Sequence, residues 1–253
     1  MDTITILGLQ VSLTDEQGMF EQVGAWSRQE GPRTILYLNA HCANLAEGDP
    51  AYKAILNQAD LVFADGVSVV WAARLLRGVE LQKLTCADWI YDFAAWAEAR
   101  GRSSSGALRL YLLGGRPGVA ASAAAHLHEL YPALEIVGTA DGYFREKGEA
   151  QVLQEIERSA PHVVFVGLGT PLQEKWLAAH RAEISAPVCW AVGAMFDYLA
   201  GQEARVPDWL YRLGLEWLWR LLVDPLGKWR RYLLGNPWFV YRVLRQKVLR
   251  ARN

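Results

Sequence analysis

Three cysteines, Cys42, Cys86 and Cys189, are all that the 253-residue chain contains, and no two of them stand at a C-x-x-C or metal-ligand spacing. Their odd number and wide separation exclude a disulfide framework and point to a reducing, cytosolic setting. There is no H-E-x-x-H, and no two aspartates are separated by one residue, so the D-x-D metal signature of many nucleotide-sugar enzymes is missing. A P-loop and a dinucleotide fingerprint with its acidic partner are missing too. No run reaches the about 18 apolar residues that span a bilayer. The start, Met1-Asp2-Thr3-Ile4, lacks the basic and apolar regions of a secretory signal. A formal net charge of −1 gives the chain as a whole no electrostatic footprint for nucleic acid. Ten prolines and a 52% hydrophobic content exclude a mainly disordered or fibrous chain.

The charge that is present is unevenly spread. From Arg205 onward eleven basic residues face only Asp208, Glu216 and Asp224, a net +8, which leaves −9 on the first 204 residues. The same segment holds five of the eleven tryptophans: Trp209, Trp217, Trp219, Trp229 and Trp238. Basic side chains interleaved with Trp and Tyr suit an anionic membrane surface. A helical tail packed on the core with a solvated basic face is the plainer alternative. A helix is expected over 207–223, with Arg212, Glu216 and Arg220 on one face and nearly every other position apolar, so that it is either buried or in lipid. The last segment, 238–252, carries Arg242, Arg245, Lys247 and Arg250 without a clean division of faces.

Before residue 205 the pattern alternates. Apolar, β-rich runs at 34–38, 61–64, 109–113, 135–138, 162–166 and 188–192 each end in glycine or a polar turn. Helical stretches, such as 50–58, 118–130 and 171–184, lie between them. This predicts an α/β fold, a Rossmann-like, mostly parallel sheet with flanking helices, over 1–204, and a C-terminal helical appendage over 205–253. Gly101–Gly106 is the best internal linker.

In such sheets ligands sit beyond the carboxyl ends of the strands. Asn39-Ala40-His41 follows the first of these runs and Asp65-Gly66 the second. In a βαβ unit both ends open on one edge, bringing Asn39, His41 and Asp65 together. Asp65 there is a general base or the N-cap of a helix beginning at Val67; His41 is a substrate contact or a structural side chain. Two turns, Gly114-Gly115-Arg116 and Gly167-Leu168-Gly169-Thr170, open helices and suit either phosphate binding or a tight strand-to-helix turn. Gln173 and Glu174 fall on the first turn of the following helix, near the same edge, where Glu174 also complements the helix dipole.

Longer segments carry a more specific signal. They are Leu38-Asn39-Ala40-His41, Ala59-Asp60-Leu61-Val62-Phe63-Ala64-Asp65-Gly66, Gly167-Leu168-Gly169-Thr170-Pro171-Leu172-Gln173-Glu174-Lys175-Trp176, the stretch from Val192 to Gly201, Arg205-Val206-Pro207-Asp208-Trp209, the stretch from Gly214 to Leu221, and Arg231-Tyr232. In this order they resemble the WecG/TagA/CpsF family of bacterial glycosyltransferases, from about residue 34 to 232. The resemblance implies an inverting, metal-independent enzyme without a cofactor. Its donor would be a UDP-sugar, and its acceptor the 4-hydroxyl of GlcNAc on a polyprenyl pyrophosphate lipid. The pathway implied is teichoic acid or another cell-surface polysaccharide. It implies Asp65 as base with Asn39 beside it, and a C-terminal appendage that touches the membrane and closes the active site. The enzyme would be peripheral on the inner face of the cell membrane; a homo-oligomer is compatible with it.

With no D-x-D pair, arginine is the natural partner of a diphosphate leaving group. Arg205, Arg220 and Arg231 match family positions, although Arg220 can instead pair with Glu216. The family usually has threonine where Tyr37 stands and glycine where Cys86 stands, so both side chains reshape the substrate pocket. The competing readings are a Rossmann-type enzyme using another nucleotide cofactor and a non-catalytic membrane scaffold.

Overall fold

The computed structural model of the protein describes residues 1–103, 106–144 and 148–250. Ser104 and Ser105 of the expected Gly101–Gly106 linker, and Arg252 of the basic tail, lie outside the described residues.

Among the described residues six strands form one parallel sheet: β3 (Arg33–Leu38), β4 (Leu61–Ala64), β5 (Arg109–Gly114), β6 (Glu135–Ala140), β7 (Val163–Gly167) and β8 (Val188–Ala191). Their order is β4-β3-β8-β7-β5-β6. Every residue of β4, β7 and β8 is buried, the result of helices covering both faces, and this is why those runs read as continuously apolar. The expected strands are all present, with ends shifted by two residues or fewer.

A hairpin precedes the sheet and was not expected. β1 (Thr3–Ile6) and β2 (Leu9–Ser12) pair antiparallel around Leu7 and Gly8, both at positive φ, 53° and 76°. That is the two-residue turn whose twist matches paired strands, here with leucine in place of the usual Asn or Asp. Ile4, Ile6, Leu9 and Val11 alternate inward and are buried.

Helices α1 (Glu16–Trp26), α2 (Ala40–Gly48), α3 (Pro50–Gln58), α4 (Val67–Arg77), α5 (Cys86–Gly101), α6 (Val119–Leu130), α7 (Glu149–Ser159), α8 (Leu172–His180) and α9 (Met195–Leu199) connect the strands. At the centre of the core Trp89 of α5 stacks on Trp190 of β8, centroids 4.2 Å apart at 15°. Phe63 meets both rings edge-on, and Phe93 and Phe165 complete the cluster. These rings clamp β4, β7, β8 and α5 together below the strand ends.

The tail is a chain of short helices, not the expected single helix over 207–223. α10 (Asp208–Arg212) and α11 (Glu216–Val223) are separated at Gly214, whose φ of +69° no helix continues through. The break cuts Arg212 off from the expected Arg212–Glu216–Arg220 face; Glu216 and Arg220 stay on one side of α11, and Glu216 pairs with Lys83 at 2.6 Å. α12 (Pro225–Trp229), a π-helical turn (Arg230–Leu234) and α13 (Gly235–Arg250) follow. α13 lies against α2. Phe239 and Val243 are buried, Arg242 Nε is 3.1 Å from Glu47, and Trp238 Nε1 donates to the same carboxylate. Further along, Leu7 N of the hairpin donates to Gln246 Oε1.

Replacing Trp190 with alanine removes the ring that four other aromatics contact, and should cost about 3–5 kcal/mol. Urea unfolding of Trp190→Ala measures it; a loss under about 1 kcal/mol would mean that the aromatic cluster is not what holds the sheet.

Candidate active site

Asn39 and Asp65 are the residues directly after β3 and β4, which are neighbours with Leu38 level with Ala64. Asp65 N donates to Leu38 O at 2.9 Å, so the ladder continues one step and carries both side chains to the same edge. Asn39 then holds two partners. Its Oδ1 caps α2 by accepting from Cys42 N at 3.0 Å, which leaves Nδ2 to donate to Asp65 Oδ2 at 2.9 Å. The cap thereby fixes which end of the amide faces the carboxylate. Asp65 is not the cap of α4; that position is Gly66, with no side-chain bond.

Two cavities meet at this pair, of about 500 and 270 Å³, and Asn39, His41, Asp65, Arg220 and Arg231 line both. The larger is walled by Val67, Trp217, Leu233, Pro237, Phe239 and Val240, so away from the pair it is mainly apolar. The smaller runs inward past Thr85, Cys86, Thr170, Gly193 and Tyr198. Trp217, Tyr198 and Tyr232 therefore belong to the cleft wall. Each stood inside a family segment, but nothing in its spacing marked it.

Burial raises the Asp65 carboxyl above the usual carboxylate range; the Asn39 hydrogen bond and the charges of Arg220 and Arg231 hold it down only in part, and Glu216 adds to the rise. His41 is pushed down to about 4 by burial and by Arg231, so it is neutral at physiological pH.

Beneath the smaller cavity lies a closed polar network. Tyr37 Oη and Thr170 Oγ1 share a hydrogen bond of 2.9 Å. Gln173 Nε2 donates to Tyr37 Oη at 3.0 Å, and its Oε1 accepts from Gly193 N. Thr170 Oγ1 donates to Glu174 Oε1 at 2.8 Å. Gln173 and Glu174 are wholly buried. They were expected near the open edge; they support the 169–171 turn from behind instead. Tyr37 and Thr170 do reach the cavity wall. Tyr37 fills the space over Gly193, where an added Cβ would come 2.8 Å from the phenol oxygen.

The glycine turns divide in the same way. Gly114 backs onto the Gly167 carbonyl, where a Cβ would sit 2.3 Å from the oxygen, so its glycine serves strand-to-strand contact. Gly115, Gly167 and Gly169 line a third cavity of about 990 Å³, with Arg116 and Tyr143 on its walls. Gly169, Gly193 and Ala194 are shared with the inner cavity.

The three arginines are placed differently. Arg205 is ion-paired with Asp88 at 3.0 Å, hydrogen-bonded to Ala87 O and placed over the Tyr91 ring; it lines an adjoining cavity that lacks Asn39 and Asp65 but shares Arg220, Tyr198 and Thr85 with the inner one. Arg220 and Arg231 flank Asp65. Neither Nε has a partner, and each guanidinium lies over an aromatic ring, Tyr198 and Tyr232 respectively. Among the described residues no group of three or more His, Cys, Asp or Glu is placed to hold a metal ion.

The carboxylate at the strand ends of a parallel sheet, with cations beside it and an apolar-lined cavity, belongs to a glycosyltransferase. Within that class the chain belongs to the WecG/TagA/CpsF family of glycosyl transferases, matched over residues 4–253. It is similar to the N-acetylglucosaminyldiphosphoundecaprenol N-acetyl-beta-D-mannosaminyltransferase of Bacillus subtilis (strain 168), 30% identical over 213 residues, 84% of this chain and 79% of the relative. The proteins of the same name from Bacillus spizizenii and Staphylococcus aureus (strain MRSA252) are 32% and 27% identical over 218 and 248 residues. These alignments cover 86% and 96% of this chain, and 81% and 93% of the relatives.

The raised carboxyl has a consequence for stability. Folded Asp65 holds its proton more tightly than the unfolded chain does, so the native state loses stability as pH rises from the ordinary carboxylate range through the raised value, and the deficit persists above it. Asp65→Asn should therefore melt higher than the wild type at pH 7.5, with a smaller gap at pH 4. A lower melting temperature for the variant at pH 7.5 would show that the arginines outweigh burial.

Proposed function

We propose that the protein transfers an N-acetylhexosamine, as its relatives' names indicate for N-acetylmannosamine, from a UDP-sugar to the 4-hydroxyl of GlcNAc on a polyprenyl diphosphate lipid. The observation that carries this is the Asn39–Asp65 pair at the junction of two cavities, with Arg220 and Arg231 beside it. Asp65 removes the proton of the acceptor hydroxyl as its oxygen attacks the anomeric carbon. The bond to UDP breaks on the opposite face, and the configuration inverts. Asn39 keeps one carboxylate oxygen occupied, so the other is free for the hydroxyl. Arg220 and Arg231 supply the positive charge for diphosphate, without a metal ion. The glycine-lined third cavity has room for the nucleotide and joins the cleft through Gly169 and Gly193.

A placed base contributes about 10²–10⁴ in rate, so Asp65→Asn should cut sugar transfer at least a hundredfold while UDP still binds. The assay is UDP release with a panel of UDP-sugars and a GlcNAc-diphosphoryl lipid, with and without EDTA. Unchanged turnover in the variant removes Asp65 as base, and loss of activity in EDTA removes the metal-free mechanism.

The tail supports a peripheral site on the inner face of the cell membrane. α11 turns Glu216 and Arg220 toward the cleft and leaves Leu222 and Val223 outside. Leu226 is 89% exposed, and Leu233, Leu234, Trp238, Tyr241 and Leu244 continue the apolar surface among Arg230, Arg245 and Lys247. A helix with its polar side inward and its apolar side outward faces lipid. No helix of the described residues is long and apolar enough to cross a membrane. The double variant Leu226→Glu/Leu234→Glu should lose most of its co-sedimentation with anionic vesicles; full retention would rule this face out.

A further inference from the structure

Lys83 stands on the loop between α4 and α5, and Leu84 N, next to it, donates to Ala64 O at 3.0 Å, tying that loop to the strand that delivers Asp65. Its ammonium reaches both sides of the Gly214 break in the tail. It lies 3.3 Å over the Tyr211 ring of α10 and 2.6 Å from Glu216 Oε1 at the start of α11. The two charged side chains are only 19% and 15% exposed, so water screens this pair far less than the surface pairs of the molecule.

Glu216 has a second potential partner. Arg220 is four residues on, the spacing at which a glutamate and a following arginine meet on a helix surface. In the structure they do not pair. Glu216 is taken by Lys83, and Arg220 lines both cavities beside Asp65 with its Nε unpartnered. Without Lys83, Glu216 would sit in the wall of the outer cavity as an uncompensated negative charge, within one helical turn of the cation that the cleft needs.

We propose that Lys83 is a positioning residue that occupies Glu216 and so keeps Arg220 available to the diphosphate of a substrate. This rests on the reading of Arg220 given above. Lys83 touches no substrate in this account. It acts by withholding Glu216 from the arginine, and by setting the angle at which α11 leaves Gly214.

The test uses the full chain with Lys83→Met, Lys83→Arg and the double variant Lys83→Met/Glu216→Gln. Two quantities are read: the acceptor KM and kcat in sugar transfer, and the affinity for inorganic pyrophosphate by calorimetry. Lys83→Met should raise the acceptor KM and weaken pyrophosphate binding by about tenfold or more, the scale of a broken buried charge pair, with a smaller change in kcat. Lys83→Arg should stay near wild type. Adding Glu216→Gln to Lys83→Met should restore most of both, because the competitor for Arg220 has been neutralised. A Lys83→Met protein with wild-type KM and affinity overturns the proposal. So does a double variant no better than Lys83→Met, which would make Lys83 a simple fastening of the tail. Should the wild type bind pyrophosphate but transfer no sugar, the sugar-transfer reading fails, while the pyrophosphate series still decides the role of Lys83. A wild type that transfers sugar alongside an unaffected Lys83→Met leaves that reading standing and removes the proposal alone.

Discussion

The hydrogen bond from Asn39 to Asp65 joins the carboxyl ends of two adjacent parallel strands, and the rest of the cleft is arranged around it. It exists because β3 and β4 run in register to Leu38 and Ala64, and because Asn39 is held at its other end by the first turn of α2. A half-buried carboxylate at a sheet edge is costly to ionise. Here one amide and two guanidinium groups offset part of that cost, and the last two come from the far end of the chain. Sheet and tail are therefore one electrostatic unit even though their sequences read as separate.

The core below explains why the edge is stiff. The Trp89–Trp190 stack and its neighbouring phenylalanines lock four elements at mid-strand. Above them the Tyr37–Thr170–Gln173–Gly193 network ties β3 to the turns after β7 and β8. Each buried member has a partner, apart from Glu174 Oε2, so the network defines a shape as well as filling space. Tyr37 and Cys86 occupy walls of the inner cavity.

The alternation of apolar runs made the six parallel strands legible, and the placing of Asn39 and Asp65 after two of them made the edge legible. Features set by backbone exceptions or distant partners were not. The hairpin hid behind Leu7, a residue that rarely adopts positive φ. α2 hid behind Asn39, whose polar side chain closes a strand and caps a helix at once. The span from Pro207 to Val223 reads as one helix because only Gly214 interrupts it. The two short helices it forms instead both meet Lys83, 133 residues before Glu216. Charge counting found the basic tail, but which side of each helix turns inward follows from where Asp65 lies, which no local period encodes. The same holds for Arg205: its family match says nothing of Asp88, which claims it.

The attachment of the tail bears on how anything enters the cleft. It is secured near Glu216 at one end. At the other, Phe239 and Val243 are buried against the core, each worth about 1.5–3 kcal/mol, and Gln246 reaches the hairpin. A strap fastened at both ends holds its arginines beside the strand ends. Asp65 is approached past Val67, Leu233 and Val240 on one side and past Gly169 and Gly193 from the glycine-lined cavity on the other, so two reactants have separate ways in.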